Sequence, residues 1–260
     1  MSGRLLLPRV LLGLVALLAF GAVQAAAAPT AAWTLIATRP HDATAFTEGL
    51  VADRGDLLES TGLNGQSAVR RLDARTGAIL ATTALSPSEF GEGLTVLGGS
   101  AIQLTWTQHL LHVYDPTTLA LICTRRYRFD GWGLTTNGRQ LIASDGSSTL
   151  RWLDPVSLRV VRRVTVRDGA RPVVDLNELE YRHGVIWANV WHSDRIALID
   201  PASGRVRAWV DLRSLRRRLS TPGEVLNGIA RDPVTGQIAV TGKLWSELFV
   251  IRLVDGVPAA

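Results

Sequence analysis

The feature that most constrains this chain is a turn that recurs at nearly even spacing. It reads Leu72-Asp73-Ala74-Arg75-Thr76-Gly77, then Tyr114-Asp115-Pro116-Thr117-Thr118, Leu153-Asp154-Pro155-Val156-Ser157, and Ile199-Asp200-Pro201-Ala202-Ser203-Gly204. The aspartates stand 42, 39 and 46 residues apart. Asp opening a turn, Pro next and Gly near the end is type I hairpin chemistry: the carboxylate takes the free N–H groups and Pro fixes φ. Between the turns lie short apolar runs, such as Leu110-Leu111-His112-Val113-Tyr114, Gln140-Leu141-Ile142-Ala143, Val185-Ile186-Trp187-Ala188 and Ile196-Ala197-Leu198-Ile199. Their lengths suit strands, and helix signals are nearly absent. Asp232-Pro233-Val234-Thr235-Gly236 comes sooner than the period allows and is expected in a different hairpin of its unit.

A second echo lies upstream of each turn. Phe46-Thr47-Glu48-Gly49-Leu50 returns as Phe90-Gly91-Glu92-Gly93-Leu94, and more loosely as Gly131-Trp132-Gly133-Leu134, Leu176-Asn177-Glu178-Leu179-Glu180 and Leu226-Asn227-Gly228-Ile229. Positions 48, 92, 132, 177 and 227 are separated by 44, 40, 45 and 50 residues. Units of this length, mostly four strands each, define a propeller. The expected fold is all-β, a five-bladed β-propeller over residues 29–260. Its last unit offers only three strand-like segments, at 227–231, 237–241 and 248–253, while residues 33–37 have no blade before them. Pairing these N- and C-terminal pieces would close the ring and remove its open edges.

Residues 1–28 differ from the rest. Arg4 and Arg9 precede an apolar run at 10–23, which ends in Gln24-Ala25-Ala26-Ala27-Ala28-Pro29. That is the layout of a cleaved signal peptide, with the cut expected near Ala26 to Ala28. The run is short for a span of ~20 residues. A periplasmic or secreted location follows, with no membrane span after cleavage and a monomer expected. The formal charge of +5 includes the two leader arginines. No basic stripe interleaved with aromatics points to nucleic acid, and Arg216-Arg217-Arg218 is read as a solvated loop. Cys123 is the sole cysteine, so no internal disulfide forms; it is expected as a buried, inert thiol in a strand. His41, His109, His112, His183 and His192 show no metal-ligand spacing and are expected at the surface or in loops; neither a metal nor a cofactor is expected.

The innermost strands of a propeller surround its axis, so residues at their starts converge at one mouth of the channel. Glu48, Glu92, Trp132, Asn177 and Asn227 are candidates on that ground. Trp106 follows Glu92 by 14 residues and Trp191 follows Asn177 by 14, which places both at the same end of their hairpins. Lys243 is the one lysine beside 27 arginines. A composition that so favours Arg keeps Lys where a compact ammonium is needed and a planar guanidinium does not fit. Trp33, Trp152, Trp187, Trp209 and Trp245 are read as packing between blades.

Phe90-Gly91-Glu92-Gly93-Leu94-Thr95, the Trp106 segment, Asp130-Gly131-Trp132-Gly133-Leu134, Leu176-Asn177-Glu178-Leu179-Glu180, Ala188-Asn189-Val190-Trp191 and Leu226-Asn227-Gly228-Ile229-Ala230 together resemble the plant and bacterial type of glutaminyl-peptide cyclotransferase. The resemblance covers about residues 40–253. It implies a five-bladed propeller that converts N-terminal glutamine of peptides and proteins to pyroglutamate, releasing ammonia without zinc. Carried over by motif, Glu92 is the catalytic acid and base, with Asn177 and Lys243 beside it. Phe46, Glu48, Phe90, Trp106, Trp132 and Trp191 bind substrate. The first motif departs from the family, which often has Gln where this chain has Glu48. A second carboxylate beside Glu92 can share its proton or raise its pKa.

The residue types suit that chemistry. One carboxyl group placed between amine and amide can accept a proton from the first and give one to the second. Lys243 is expected to bond the substrate or Glu92. Two other classes compete: a non-catalytic exported propeller binding a peptide or cell-envelope partner, and a metal-dependent propeller hydrolase. The first needs no Glu92, Asn177, Trp191 and Lys243 in concert; the second needs an Asp- and Asn-rich shell around the axis.

Overall fold

The four-strand unit expected from the repeated turns is present five times in the computed structural model, which describes residues 26–256. A first strand, β1 (Trp33–Pro40), precedes the blades. Blade 1 is β2 (Thr47–Asp53), β3 (Asp56–Thr61), β4 (Ala68–Leu72) and β5 (Ile79–Ala84). Blade 2 is β6 (Gly91–Leu97), β7 (Ser100–Thr105), β8 (Leu110–Tyr114) and β9 (Leu121–Arg126). Blade 3 is β10 (Leu134–Thr136), β11 (Leu141–Ala143), β12 (Thr149–Leu153) and β13 (Val160–Thr165), followed by a small hairpin of β14 (Arg167–Asp168) and β15 (Arg171–Pro172). Blade 4 is β16 (Leu176–Arg182), β17 (Val185–Val190), β18 (Arg195–Ile199) and β19 (Val206–Asp211), and a single helical turn, α1 (Arg213–Arg216), leads out of it. Blade 5 has β20 (Leu226–Arg231), β21 (Ile238–Gly242) and β22 (Glu247–Leu253) from the C-terminal side, and takes β1 as its outer strand. β1 runs antiparallel to β22 from Trp33↔Leu253 to Pro40↔Glu247, so the ring closes as the strand count requires.

The turns do what their sequence implies. Asp73, Asp115, Asp154 and Asp200 open the outermost hairpins of blades 1 to 4, each carboxylate taking a backbone N–H and a hydroxyl three residues on. Asp232 does the same between β20 and β21, an inner hairpin.

Burial explains why the middle strands read as continuous apolar runs. Their side chains alternate between two interfaces, and both are dry. Leu57 packs toward blade 5 and Leu58 toward blade 2; Val185 and Trp187 pack toward blade 5, and Ile186 and Ala188 toward blade 3. The core is thus five apolar wedges, one between each pair of neighbours. The five tryptophans assigned to packing all lie in or against two of these wedges. The outer strands of blades 1 to 3 face water, whereas β19 of blade 4 is mostly buried; Cys123 sits on β9 of blade 2. It is exposed, which corrects the expectation of a buried thiol.

One histidine, on β8, differs from expectation, and a second lies in a loop as expected but is buried there. His112 is buried and its ring meets Glu89 and Thr124. His41 is buried where β1 hands the chain to blade 1. Its Nδ1 lies 2.7 Å from the Trp245 carbonyl of blade 5 and its Nε2 2.9 Å from Glu59 of blade 1. Arg70 donates to the other Glu59 oxygen and to Asp42, and Thr47 donates to Glu59 as well. Burial pushes the Glu59 carboxyl up, but His41 and Arg70 outweigh it and hold it at about 2. Burial likewise lowers His41, and the facing Glu59 raises it above 6.5. This cluster locks the closing seam. Of the expected leader, residues 1–25 lie outside the described residues. Among the described residues, no helix is long and apolar enough to cross a membrane.

The seam sets a pH window. Glu59 stabilises the fold above its ordinary 4.5, and that contribution disappears as pH falls toward about 2. His41 stabilises below 6.5, and its share is lost as pH rises through its raised value. Glu59→Gln leaves a buried guanidinium short of its partner and is expected to cost roughly 3–5 kcal/mol. Urea unfolding measures this; a midpoint equal to wild type would show that the seam does not hold the ring.

Candidate functional site

The inner strands do not run in regular register at the expected site residues. The β2–β3 pairing shifts between Thr47 and Gly49, β6–β7 between Gly91 and Leu94, β16–β17 between Leu176 and Leu179, and β20–β21 between Leu226 and Ile229. Glu48, Glu92, Asn177 and Asn227 each sit inside such a bulge. A bulge breaks the in–out alternation and re-aims a side chain, here toward the axis. In blade 3, Trp132 stands just ahead of β10, with its N–H on the Ser144 carbonyl at 3.1 Å.

Glycines beside these residues let the blades approach. A Cβ on Gly93 would collide with the backbone at Gly133 and Leu134 of blade 3, and one on Gly133 with the Asn177 carbonyl of blade 4. The Gly93 N–H reaches across to the Trp132 carbonyl at 2.7 Å. In blade 4 the equivalent place is held by Glu178, fully buried, whose carboxyl accepts N–H groups of Leu50 and Ile229. Burial and then Glu180 push its carboxyl well above the usual range.

A second tier stands on the neighbouring strands. The Trp106 N–H bonds the Phe90 carbonyl at 3.0 Å, the Trp191 N–H the Asp175 carbonyl at 2.8 Å, and the Lys243 N–H the Val225 carbonyl at 2.9 Å. The Gly62 N–H bonds the Phe46 carbonyl at 2.8 Å in the same way. Trp106, Trp191, Lys243 and Gly62 therefore hold equivalent places in four blades. Gly62 stands out because the Phe90 ring occupies the space its Cβ would need, at 2.5 Å.

Phe46, Glu48, Phe90, Glu92, Trp106, Trp132, Asn177, Trp191 and Lys243 line one cavity of about 240 Å³, while Asn227, the tenth candidate, does not line it. His192, Glu224 and Val225 complete it and were not assigned from the sequence. Val225 was legible: it precedes Asn227 by two, as Phe46 precedes Glu48 and Phe90 precedes Glu92. His192 lies against the Trp191 ring at 3.9 Å and takes a left-handed φ of 59° at its hairpin tip. Glu224 stands three residues before Asn227 as Glu89 stands before Glu92, but Glu89 does not line the cavity and meets His112 instead. The Trp132 and Trp191 rings meet edge to face at 5.5 Å, and Phe90 bridges Phe46 and Trp106 at 6.1 and 5.8 Å.

The charges are arranged differently from expectation. The Lys243 ammonium bonds Glu48 at 2.6 Å, and lies 4.5 Å above the Phe46 ring. It makes no hydrogen bond to Glu92. Asn227 donates to the other Glu48 oxygen at 3.1 Å. Burial raises the Glu48 carboxyl and Lys243 pulls it back, to about 7. Glu92 is held well above the usual carboxyl range by burial first and by Glu48 next, with Lys243 opposing. Glu92 Oε2 and Asn177 Oδ1 are buried and have no hydrogen-bond partner in the protein. Among the described residues, no three His, Cys, Asp or Glu side chains are grouped to hold a metal.

Fold and cavity define a class: a five-bladed propeller whose axial mouth carries a carboxyl group in an aromatic cleft. The model of the glutamine cyclotransferase family matches residues 10–253, and the chain belongs to that family. It is 44% identical over 225 residues to a glutaminyl-peptide cyclotransferase of Arabidopsis thaliana, covering 84% of this chain and 70% of the plant protein. The crystal structure of the Myxococcus xanthus glutaminyl cyclase superposes with a TM-score of 0.80 at 38% identity, over 87% of this chain and 98% of that one.

Gly62 offers a test of the cavity wall. Gly62→Ala should leave the propeller folded but drive the Phe90 ring into the cleft. Overpacking of this kind costs about 1–3 kcal/mol of fold stability, and the displaced ring misplaces the substrate, so kcat/KM on a Gln-led dipeptide should drop about tenfold or more. A variant with normal thermal melting and full kcat/KM would mean that Phe90 does not shape the binding space.

Proposed function

We propose that this chain is a glutaminyl-peptide cyclotransferase, closing the N-terminal glutamine of a peptide or protein into pyroglutamate with release of ammonia. One observation carries the assignment of roles: Glu92 Oε2 and Asn177 Oδ1 are buried acceptors without partners, facing a tryptophan-lined cleft. Buried acceptors call for donors. An N-terminal glutamine brings two donor groups, its α-amine and its γ-carboxamide nitrogen, separated by the chain that must fold back on itself.

In this reading Trp106, Trp132 and Trp191 hold that chain in its folded form, which turns ring closure into a positioned intramolecular step. The amine nitrogen attacks the carboxamide carbon and a C–N bond forms. Glu92 gives a proton to the departing amide nitrogen, the old C–N bond breaks and ammonia leaves. The ring nitrogen returns its proton to Glu92, so the carboxyl group ends as it began. Indole N–H groups are available to the oxygen that gains charge on the way. The aromatic walls keep water from the tetrahedral carbon, favouring cyclisation over hydrolysis. No cosubstrate enters, and the relay asks for no metal. The leader at residues 1–28 supports export of the chain, whose domain at 29–260 acts as a single subunit in the periplasm or outside the cell.

Two substitutions test the roles. Glu92→Gln keeps the shape and removes the mobile proton; kcat should fall roughly 100-fold or more with KM little changed. Turnover near the wild-type rate would remove Glu92 from the relay. Lys243→Arg keeps the charge but sets a wide planar fork between Glu48 and the Phe46 ring. It should fold normally by circular dichroism and lose most of kcat/KM; full activity would show that the compact ammonium is not required.

A further inference from the structure

The cleft holds two carboxyl groups and one ammonium, and the ammonium is committed. Lys243 sits just after β21, 2.6 Å from Glu48 Oε1 and 4.5 Å from the centre of the Phe46 ring. Asn227 of β20 fixes Glu48 Oε2. Glu48 itself is 1% exposed and Lys243 6%. The pair is therefore clamped from both ends of the carboxylate, and no arginine lines the cleft. Glu92, one blade away, has a free buried oxygen and no cation bonded to it.

We propose that Glu48 is a positioning residue that captures the Lys243 charge, so that the proton of the site resides on Glu92 and the substrate amine is held unprotonated. The inference rests on the cyclase reading and says where its mobile proton waits. An amine that arrives as ammonium carries one proton more than it can keep while attacking. With Glu92 ionised, the complex is carboxylate plus ammonium. With that one proton moved, it is carboxyl plus free amine, and only this form has a lone pair to attack with and a proton ready for the leaving nitrogen. Were Lys243 free to face Glu92, its positive charge would hold Glu92 ionised and leave the proton on the amine. Glu48 prevents this twice, by neutralising the ammonium and by placing negative charge near Glu92.

The other groups around the pair fit. Glu224, ahead of β20, raises Glu48 by repulsion, while the nearer Lys243 opposes it. Tyr127, after β9, is raised by burial and then by Glu92, so it stays a neutral phenol. His192, after β17, leans on Trp191 at the rim. Of the two carboxyls, Glu48 is the one that Lys243 brings back to about 7, while Glu92 remains well above the usual range. The first proton lost by the pair leaves Glu48, and the second leaves Glu92.

The experiment is a carboxyl ¹³C NMR titration of the free protein, with the Glu92 signal assigned by its loss in Glu92→Gln. Glu48→Gln keeps the size and the Asn227 contact but releases the Lys243 charge. The Glu92 midpoint should fall by about one pH unit, a tenfold change in proton affinity, and the matching limb of the pH–rate profile should move the same way. Adding Lys243→Met to Glu48→Gln removes the freed charge and should return the midpoint toward wild type. A Glu92 midpoint that stays put in Glu48→Gln, in protein that melts normally, overturns the proposal; a purely packing role for Glu48 gives that result. Because the titration needs no turnover, a wild-type protein inactive on Gln-led peptides would sink the cyclase reading while the NMR result still decided the charge arrangement.

Discussion

Everything at the mouth of this propeller depends on how closely five inner strands can crowd one axis. Side chains pointing inward from all five would collide, and the chain avoids this with Gly49, Gly93, Gly133 and Gly228 beside the bulged residues. At Gly49, Gly93 and Gly133 backbone meets backbone, and the residue before each is the one aimed into the cleft, while Gly228 faces the Thr47 and Thr241 side chains. Glu92 is buried because its neighbours are packed this tightly, and its high proton affinity follows from that burial. Glycine in the second repeat is thus as much a part of the chemistry as the glutamate it accompanies.

The same crowding accounts for the exception. Blade 4 has Glu178 where the four other repeats have glycine, and no backbone partner closes that gap. The carboxyl group spans it instead, taking N–H groups from blades 1 and 5 that the inner strands leave unpaired. A buried carboxyl is costly alone, but one bonded at both oxygens joins three blades below the cleft.

Much of this was legible in the sequence, because a propeller repeats its instructions. Asp73, Asp115, Asp154 and Asp200 marked the outer hairpins, the short last unit forecast the pairing of β1 with β22, and four of the five fivefold anchors, Glu48, Glu92, Trp132 and Asn177, line the cleft, while Phe46 and Phe90 were reached only through the family resemblance. What the sequence hid were pairings across repeats. Lys243 bonds Glu48 rather than Glu92 because ring closure sets blade 5 beside blade 1, a neighbour 195 residues distant along the chain. His41 lies in a loop as expected, but its partners, Glu59 and Trp245, were hidden for the same reason, since they come from both sides of the seam. Cys123 lies in an apolar stretch, yet β9 is the outermost strand of its blade, and a strand's rank from the axis is invisible to its own composition.

The placement of β1 has a consequence for how the molecule comes into being. The strand nearest the start of the described chain pairs with the strand nearest its end, Trp33 opposite Leu253. Blades 1 to 4 can each assemble from consecutive residues as they appear, with short loops to close. Blade 5 cannot: its outer strand exists from the outset but has nothing to pair with until the last residues arrive. Ring closure is then the slow, non-local step of folding, and until it occurs β22 presents a bare edge to every other chain nearby. The cleft, whose ammonium comes from blade 5 and whose facing carboxylate comes from blade 1, is completed only in that last event, so this catalyst acquires its charge balance at the moment it becomes a ring.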